Sequence, residues 1–168
     1  SLIITGNELT HPGERLPYGH IYESNSFMLK AALEKDGIMD ITIYRVEDNL
    51  TDIKDAIEDA QQSSDFILLT GGVSVGDYDF VQKAATESGF EEHFHKIKQK
   101  PGKPLLFSSK QNQYLFGLPG NPGSALTCYY MYVQDALLQF FQKSMNQSIT
   151  AIFEGDFTKK AGLTHFLK

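Results

Sequence analysis

The fold can be read from Asp65-Phe66-Ile67-Leu68-Leu69-Thr70-Gly71-Gly72-Val73-Ser74-Val75-Gly76-Asp77-Tyr78-Asp79. Its first half is a short apolar run bounded by polar residues, the pattern of a strand buried on both faces of a parallel sheet. After it, Phe80, Val81, Ala84 and Ala85 repeat with the spacing of a helix face, and Gly89 supplies a stop. Between them, Gly71 and Gly72 permit positive φ and leave no Cβ between main chain and a ligand. A helix behind such a loop turns free N–H groups and partial positive charge toward it, which suits phosphate. Asp77 and Asp79 at the helix entry add a second chemistry: a bridging cation, a general acid or base, or helix caps.

Working outward, Ser1-Leu2-Ile3-Ile4-Thr5 is a second apolar run, ending at Gly6 and delivering Asn7 and Glu8. Residues 10–19 carry two prolines and two glycines and read as a loop. Ser24 is placed to cap a first helix that runs to Gly37. Met39 to Val46 reads as a strand, and Thr51 is placed to cap a second helix with Ile53, Ala56, Ile57 and Ala60 on one face. His93 to Lys98 alternates like a strand and leads into Lys100-Pro101-Gly102-Lys103-Pro104, a turn that two prolines keep out of helix. Leu105-Phe107 and Tyr114-Phe116 flank a polar segment as a hairpin, which closes on Leu118-Pro119-Gly120-Asn121-Pro122. Pro122 suits the first position of a helix that the pattern carries to about Lys143. That helix is apolar nearly all round, so it is expected to be buried in the core or on a partner, and to promote self-association. From Ser148, the alternation of Ile149, Ala151 and Phe153 suggests one more strand.

The element order predicts an α/β protein, a three-layer α/β/α sandwich with a mostly parallel sheet and an antiparallel hairpin. Residues 1–144 form the expected domain and residues 145–168 the start of a second. Since the first residues already read as strand, the chain is expected to be a fragment.

The chain has 168 residues, 41% of them hydrophobic and 21% charged, enough for a packed domain. Its net charge of −6 argues against non-specific nucleic-acid or acidic-membrane binding, although Lys96, Lys98, Lys100 and Lys103 cluster. The single cysteine, Cys128, rules out an internal disulfide and a cysteine-based metal cluster and suits a reducing compartment, so a cytoplasmic location is expected. No apolar run approaches the length of a membrane span.

In an open α/β sheet the segments after the strands line one edge. That edge should collect Glu8, Asp48, Asp77 and Asp79 from three loops, together with the lysine turn and the Pro-Gly-Asn-Pro turn. Such a crevice suits a ligand with phosphate and a further oxyanion or oxygen-bound divalent metal. The Gly71 loop lacks the lysine and threonine of a Walker motif, and Ser74 lacks the glycine spacing of a hydrolase elbow. His93 and His95 have no third ligand nearby in sequence and read as structural.

Five segments together carry a resemblance: Thr5-Gly6-Asn7-Glu8-Leu9, Ile21-Tyr22-Glu23-Ser24-Asn25, the Gly71-to-Asp79 loop, the Lys100-to-Pro104 turn and Leu118-to-Pro122. In this order they resemble the MoeA family of molybdopterin molybdenumtransferases and the gephyrin E domain. The resemblance implies a molybdopterin-binding fold and insertion of molybdenum from molybdate into adenylylated molybdopterin, with release of AMP and assistance from magnesium. It implies catalytic roles for Asp79, Glu8 and Asp48, with Asp79 and Glu8 as magnesium ligands. It also implies ligand contacts for Thr70, Gly71, Gly72, Ser74, Lys96, Lys100, Lys103, Pro119, Asn121 and Pro122. Asn7 and Glu23 depart from it, each standing where the family often has aspartate. A homodimer, a site completed by a second subunit, and a MogA-type adenylyltransferase partner are further implications. The readings to be separated from this one are a MogA-like adenylyltransferase and a non-catalytic gephyrin-like scaffold.

Overall fold

The computed structural model describes residues 1–72, 80–144, 149–152, 154–158 and 161–167. Asp77, Asp79 and Ser74 lie outside the described residues. The elements are β1 (Leu2–Thr5), β2 (Leu9–Thr10), β3 (Ile21–Tyr22), α1 (Asn25–Lys35), β4 (Ile43–Val46), α2 (Leu50–Ala60), β5 (Phe66–Thr70) and α3 (Phe80–Glu87). There follow β6 (Glu91–His95), β7 (Gln99–Lys100), β8 (Leu106–Lys110), β9 (Gln113–Leu118), α4 (Pro122–Cys128), a π-helical turn (Tyr129–Val133), α5 (Gln134–Phe140) and β10 (Thr164–His165).

The main sheet runs β4-β1-β5-β9-β8-β6. Its first four strands are mutually parallel, and β8 pairs antiparallel with both β9 and β6. Alternate strand residues sort onto two faces, as a pleated sheet requires. Ile3, Ile67, Leu69 and Leu115 pack with α2 and α3. Leu2, Leu68, Phe116 and Leu118 pack with α1, α4, the π turn and α5. This is the expected three-layer sandwich. No helix among the described residues is long and apolar enough to cross a membrane.

Several boundaries differ from the sequence reading for local reasons. Asn49, not Thr51, caps α2, its Oδ1 accepting from Asp52 N at 2.9 Å. Ser24 holds the N-cap position of α1, but its side chain makes no cap bond. Glu23 does the work instead, accepting from Ser26 N at 2.7 Å and from the Ser26 hydroxyl. The strand expected from Met39 begins only at Ile43, and the one expected over His93–Lys98 is Glu91–His95. The polar segment expected to loop between the hairpin strands is mostly strand, because a tight turn at Gln111, with φ 53°, reverses the chain. Residues 149–152 form no strand. Thr164–His165 pairs instead with Gln99–Lys100.

The last helix is not buried all round. Cys128, Tyr129, Val133 and Leu137 face the core, while Tyr130, Met131, Phe140 and Phe141 are exposed. Within this helical layer Tyr129 donates to Asp36 Oδ2 at 2.6 Å, and Gln134 Nε2 donates to Asp36 Oδ1 at 2.8 Å. Asp36 is the C-cap of α1, so this carboxylate ties two helices together.

Burial raises the Tyr129 phenol, with the Asp36 hydrogen bond and charge adding to it. Burial also pushes the Cys128 thiol from 9.0 to about 11, against the Gln99 hydrogen bond. Both folded values lie above the unfolded ones. The stability linked to them is therefore complete below the unfolded pKa values and is lost as pH rises through the folded ones. Denaturant titrations are expected to show stability falling from about pH 9 upward. Tyr129→Phe should flatten that fall while costing about 1–3 kcal/mol at neutral pH.

Candidate functional site

The register places the described parts of the expected loops on one sheet edge. Ile4 stands opposite both Arg45 and Thr70, Thr70 opposite Leu118, and Gly117 opposite Leu106, which in turn faces His95. The segments that follow β4, β1, β5, β9 and β6 therefore emerge together. This brings the loops bearing Asp48, Glu8 and Gly71–Gly72, the Pro119–Pro122 turn, and the lysine turn from Lys96 to Lys103 to one edge.

At its centre three backbones touch. Gly71 has φ 91°, and a Cβ there would overlap the carbonyl oxygen of Thr5. Gly72 has φ 59°, and a Cβ there would stand 2.9 Å from Asp48 Oδ1. A Cβ on Gly120 would lie 3.7 Å from Gly71 Cα, ordinary contact distance. The glycines thus let the β1 and β9 loops close against the β5 loop.

Asp48 is half-buried. Its carboxylate accepts from Thr5 Oγ1 at 3.4 Å, and its backbone N–H donates to Asn7 Oδ1 at 3.0 Å. Asn7, standing where the resembling family often has aspartate, thus acts as a neutral acceptor joining the two loops. Glu8 is exposed, its Oε2 lying 3.1 Å from where a Cβ on Gly6 would be, and its carbonyl oxygen accepts from Ile21 N. Thr70 is buried at the end of β5, and its hydroxyl has no partner among the described residues. Asn121 caps α4, accepting from Ser124 N, and Pro122 is its first residue. Pro119 is buried, whereas Lys96, Lys100 and Lys103 are exposed. Lys96 has φ 65°, a conformation that costs a residue with a Cβ about 1–3 kcal/mol.

Three features were not singled out as site residues in the sequence. Asn25, only 7% exposed, donates from Nδ2 to the Gly120 carbonyl at 2.9 Å and so fixes the proline turn from α1. A cavity of ≈ 430 Å³ opens beside Asn7 and includes Thr10, His11, Glu23, Arg45 and Glu47 in its wall. Gln99 lies buried under the lysine turn. Asn25 and Glu23 stand in the Ile21–Asn25 segment already noted. Nothing in the sequence marks Gln99, whose side-chain partners Cys128 and Tyr132 are distant in the chain, or Arg45, which reaches the Ser26 hydroxyl 19 residues away. His93 donates to or accepts from Ser109 Oγ at 2.6 Å and lies against Phe107, a structural placement. Among the described residues no group of three or more histidine, cysteine or acidic side chains could hold a metal ion.

Comparison with known proteins gives consistent results. A family described as "Probable molybdopterin binding domain" matches residues 1–139. The molybdopterin molybdenumtransferase of Haemophilus influenzae is 41% identical over 133 residues, covering 79% of this chain and 33% of that protein. The molybdopterin molybdenumtransferase of Staphylococcus aureus strain Mu50 is 33% identical over 175 residues, covering 100% of this chain and 41% of its own. Among solved structures, a molybdopterin biosynthesis MoeA protein from Pyrococcus horikoshii superposes with a TM-score of 0.72 at 32% identity, covering 82% of this chain and 34% of that one. The chain thus spans about a third to two fifths of the length of these relatives.

The glycine contacts give a paired test. Gly71→Ala is expected to lower stability by at least about 1–3 kcal/mol through φ alone, with the Thr5 overlap added. Gly120→Ala should stay within about 0.5 kcal/mol of the parent. Urea unfolding midpoints of the two variants check this.

Proposed function

Because the chain belongs to the molybdopterin-binding domain family, we propose that it is the ligand-binding part of a cytoplasmic molybdopterin molybdenumtransferase. Residues 1–144 form the binding domain, and residues 145–168 begin a further one. The reaction is insertion of molybdenum from molybdate into adenylylated molybdopterin with release of AMP. The observation that carries this reading is the convergence of the Gly71–Gly72 loop, the acidic loops, the proline turn and the lysine turn on one sheet edge.

The chemistry follows the edge. Neighbouring strands lie about 4.8 Å apart, so the five steps from β4 to β6 span roughly 24 Å. That length suits an elongated ligand such as a pterin joined to a nucleotide. Phosphate rests at Gly71–Gly72, with Thr70 and Ser74 alongside. The proline turn at Pro119, Asn121 and Pro122 walls one side. Lys96, Lys100 and Lys103 attract molybdate, a dianion, and offset its charge. Water attacks the phosphoanhydride, the P–O bond to the pterin phosphate breaks and AMP departs, while the two dithiolene thiols replace one oxo group of molybdate, which leaves as water with their two protons, molybdenum staying at +6. Asp79, Glu8 and Asp48 hold or move protons on the attacking water or orient it.

The donor set fits magnesium. It is all oxygen, and magnesium characteristically takes one or two carboxylates together with substrate phosphates and water. Asp79 and Glu8 would hold the ion, with Asp48, beside Gly72, close to the same phosphates. When bound, magnesium supplies charge neutralisation at the phosphoanhydride. In the complete protein a second copy forms a homodimer that closes the site, and a MogA-type adenylyltransferase supplies the adenylylated pterin.

The deciding experiment uses the full-length protein. It is expected to consume adenylylated molybdopterin and release AMP when molybdate is added. Synthesis of adenylylated pterin from ATP would identify a MogA-like adenylyltransferase instead, and tight pterin binding with neither activity a scaffold. Asp79→Asn should fold and bind the pterin nucleotide but lose molybdenum insertion by about 10²-fold or more. Asp77→Asn should keep its activity and lose up to about 2 kcal/mol of stability, as a cap does. Parent-like turnover by Asp79→Asn would remove this loop from the reaction.

A further inference from the structure

The lysine turn is not held in place by its lysines, which are exposed. It is held from beneath by Gln99, 4% exposed, which uses both ends of its amide. Nε2 donates to the Gly102 carbonyl at 3.0 Å, closing the turn on itself, and stands 3.5 Å from Cys128 Sγ. Oε1 accepts from the Tyr132 hydroxyl. Cys128 ends α4 and Tyr132 lies in the π turn, so one glutamine joins the turn to the helix across its irregular segment. The seat is close: a Cβ on Gly102, where φ is 87°, would overlap Cys128 Sγ. On its outer side, Thr164 N donates to the Lys98 carbonyl and Phe166 N to the Lys100 carbonyl, each at 2.9 Å.

We propose that Gln99 is the positioning residue of this turn, setting the height and spacing of Lys100 and Lys103 for a tetrahedral oxyanion substrate that it does not itself touch. The inference rests on the reading of the lysine turn as the molybdate-binding wall. Lysine side chains are long and mobile, so two of them converge on one dianion only if the backbone between them is fixed. An apolar side chain at position 99 could fill the same space, but it could not close on Gly102 or pair with Tyr132. A buried amide with all its partners matched specifies one arrangement of the turn.

The test is made in the full-length protein with molybdate and adenylylated molybdopterin. Gln99→Met removes the amide but leaves the Tyr132 hydroxyl buried without its acceptor. Gln99→Met/Tyr132→Phe also removes the stranded Tyr132 hydroxyl, leaves the Gly102 carbonyl to the Cys128 thiol, and is expected to restore most of the melting temperature. In that double variant the KM for molybdate should rise about tenfold while kcat changes less than about twofold, because the affected contact is uniform binding of the anion. Cys128 should also react faster with a thiol reagent, a readout independent of turnover. Tyr132→Phe alone should raise KM by about threefold or less. A double variant with restored melting temperature and parent-like KM would overturn the proposal, leaving Gln99 a packing residue. So would a fall in kcat with KM unchanged. Lys100→Ala, run alongside, separates the two layers: a parent-like molybdate KM there would overturn the lysine-turn reading itself.

Discussion

Everything at the working edge depends on the approach of Gly71 to the carbonyl oxygen of Thr5. Thr5 ends β1 and Gly71 directly follows the adjacent parallel strand β5, and the chain turns there in a space too small for a side chain on Gly71. Because Gly71 has no Cβ, the β1 and β5 loops close directly on one another. That contact carries Asp48 along with it, since Thr5 donates to its carboxylate and Asn7 accepts from its backbone. Gly120 then packs over Gly71 from β9, and Asn25 fixes Gly120 from α1. Five segments distant in sequence are thus located relative to one another by contacts between main-chain atoms and short polar side chains. The short polar side chains lose little rotamer freedom when ordered, while the glycines give up more backbone freedom than other residues would.

The two ends of this edge are built differently. On the β4 and β1 side the acidic loops are short and follow their strands immediately, so strand register alone places them. On the far side the lysines lie in a turn outside the main sheet, beyond β6. The turn therefore draws on a buried glutamine, a glycine seated against Cys128, and the pairing of β10 along its outer margin. Lys96, at φ 65°, is bent into a conformation that its own side chain disfavours, and its backbone N–H donates to the Leu105 carbonyl at 3.1 Å. The surrounding hydrogen bonds impose this geometry.

The π-helical turn reconciles two demands on the last helix. Cys128 and Tyr132 must meet Gln99 under the lysine turn, while Tyr129 and Gln134 must reach Asp36 at the end of α1. Inserting a π turn at Tyr129–Val133 resets the phase of the helix between these contacts. The same phase shift leaves Tyr130 and Met131 outside and breaks the all-round burial that the aromatic content suggests.

What the sequence determined by itself was the class of architecture and the identity of the loops. Apolar runs of strand length, helix-period faces and glycine-proline turns are local signals, and Phe66–Thr70, Val81, Ala84 and Pro122 fall where those signals place them. The glycine pair was legible too, because few residues other than glycine adopt positive φ readily at adjacent positions. Cap assignments shifted by one or two residues, from Thr51 to Asn49 and from Ser24 to Glu23, since several neighbouring oxygens compete for the same amides and geometry picks one. Only the tertiary structure decided which side chains act together. Gln99 with Tyr132, Asn25 with Gly120 and Tyr129 with Asp36 lie 33, 95 and 93 residues apart, and no periodicity links such pairs. Their pairing is set by sheet order and by where the layers close, which belong to the chain as a whole.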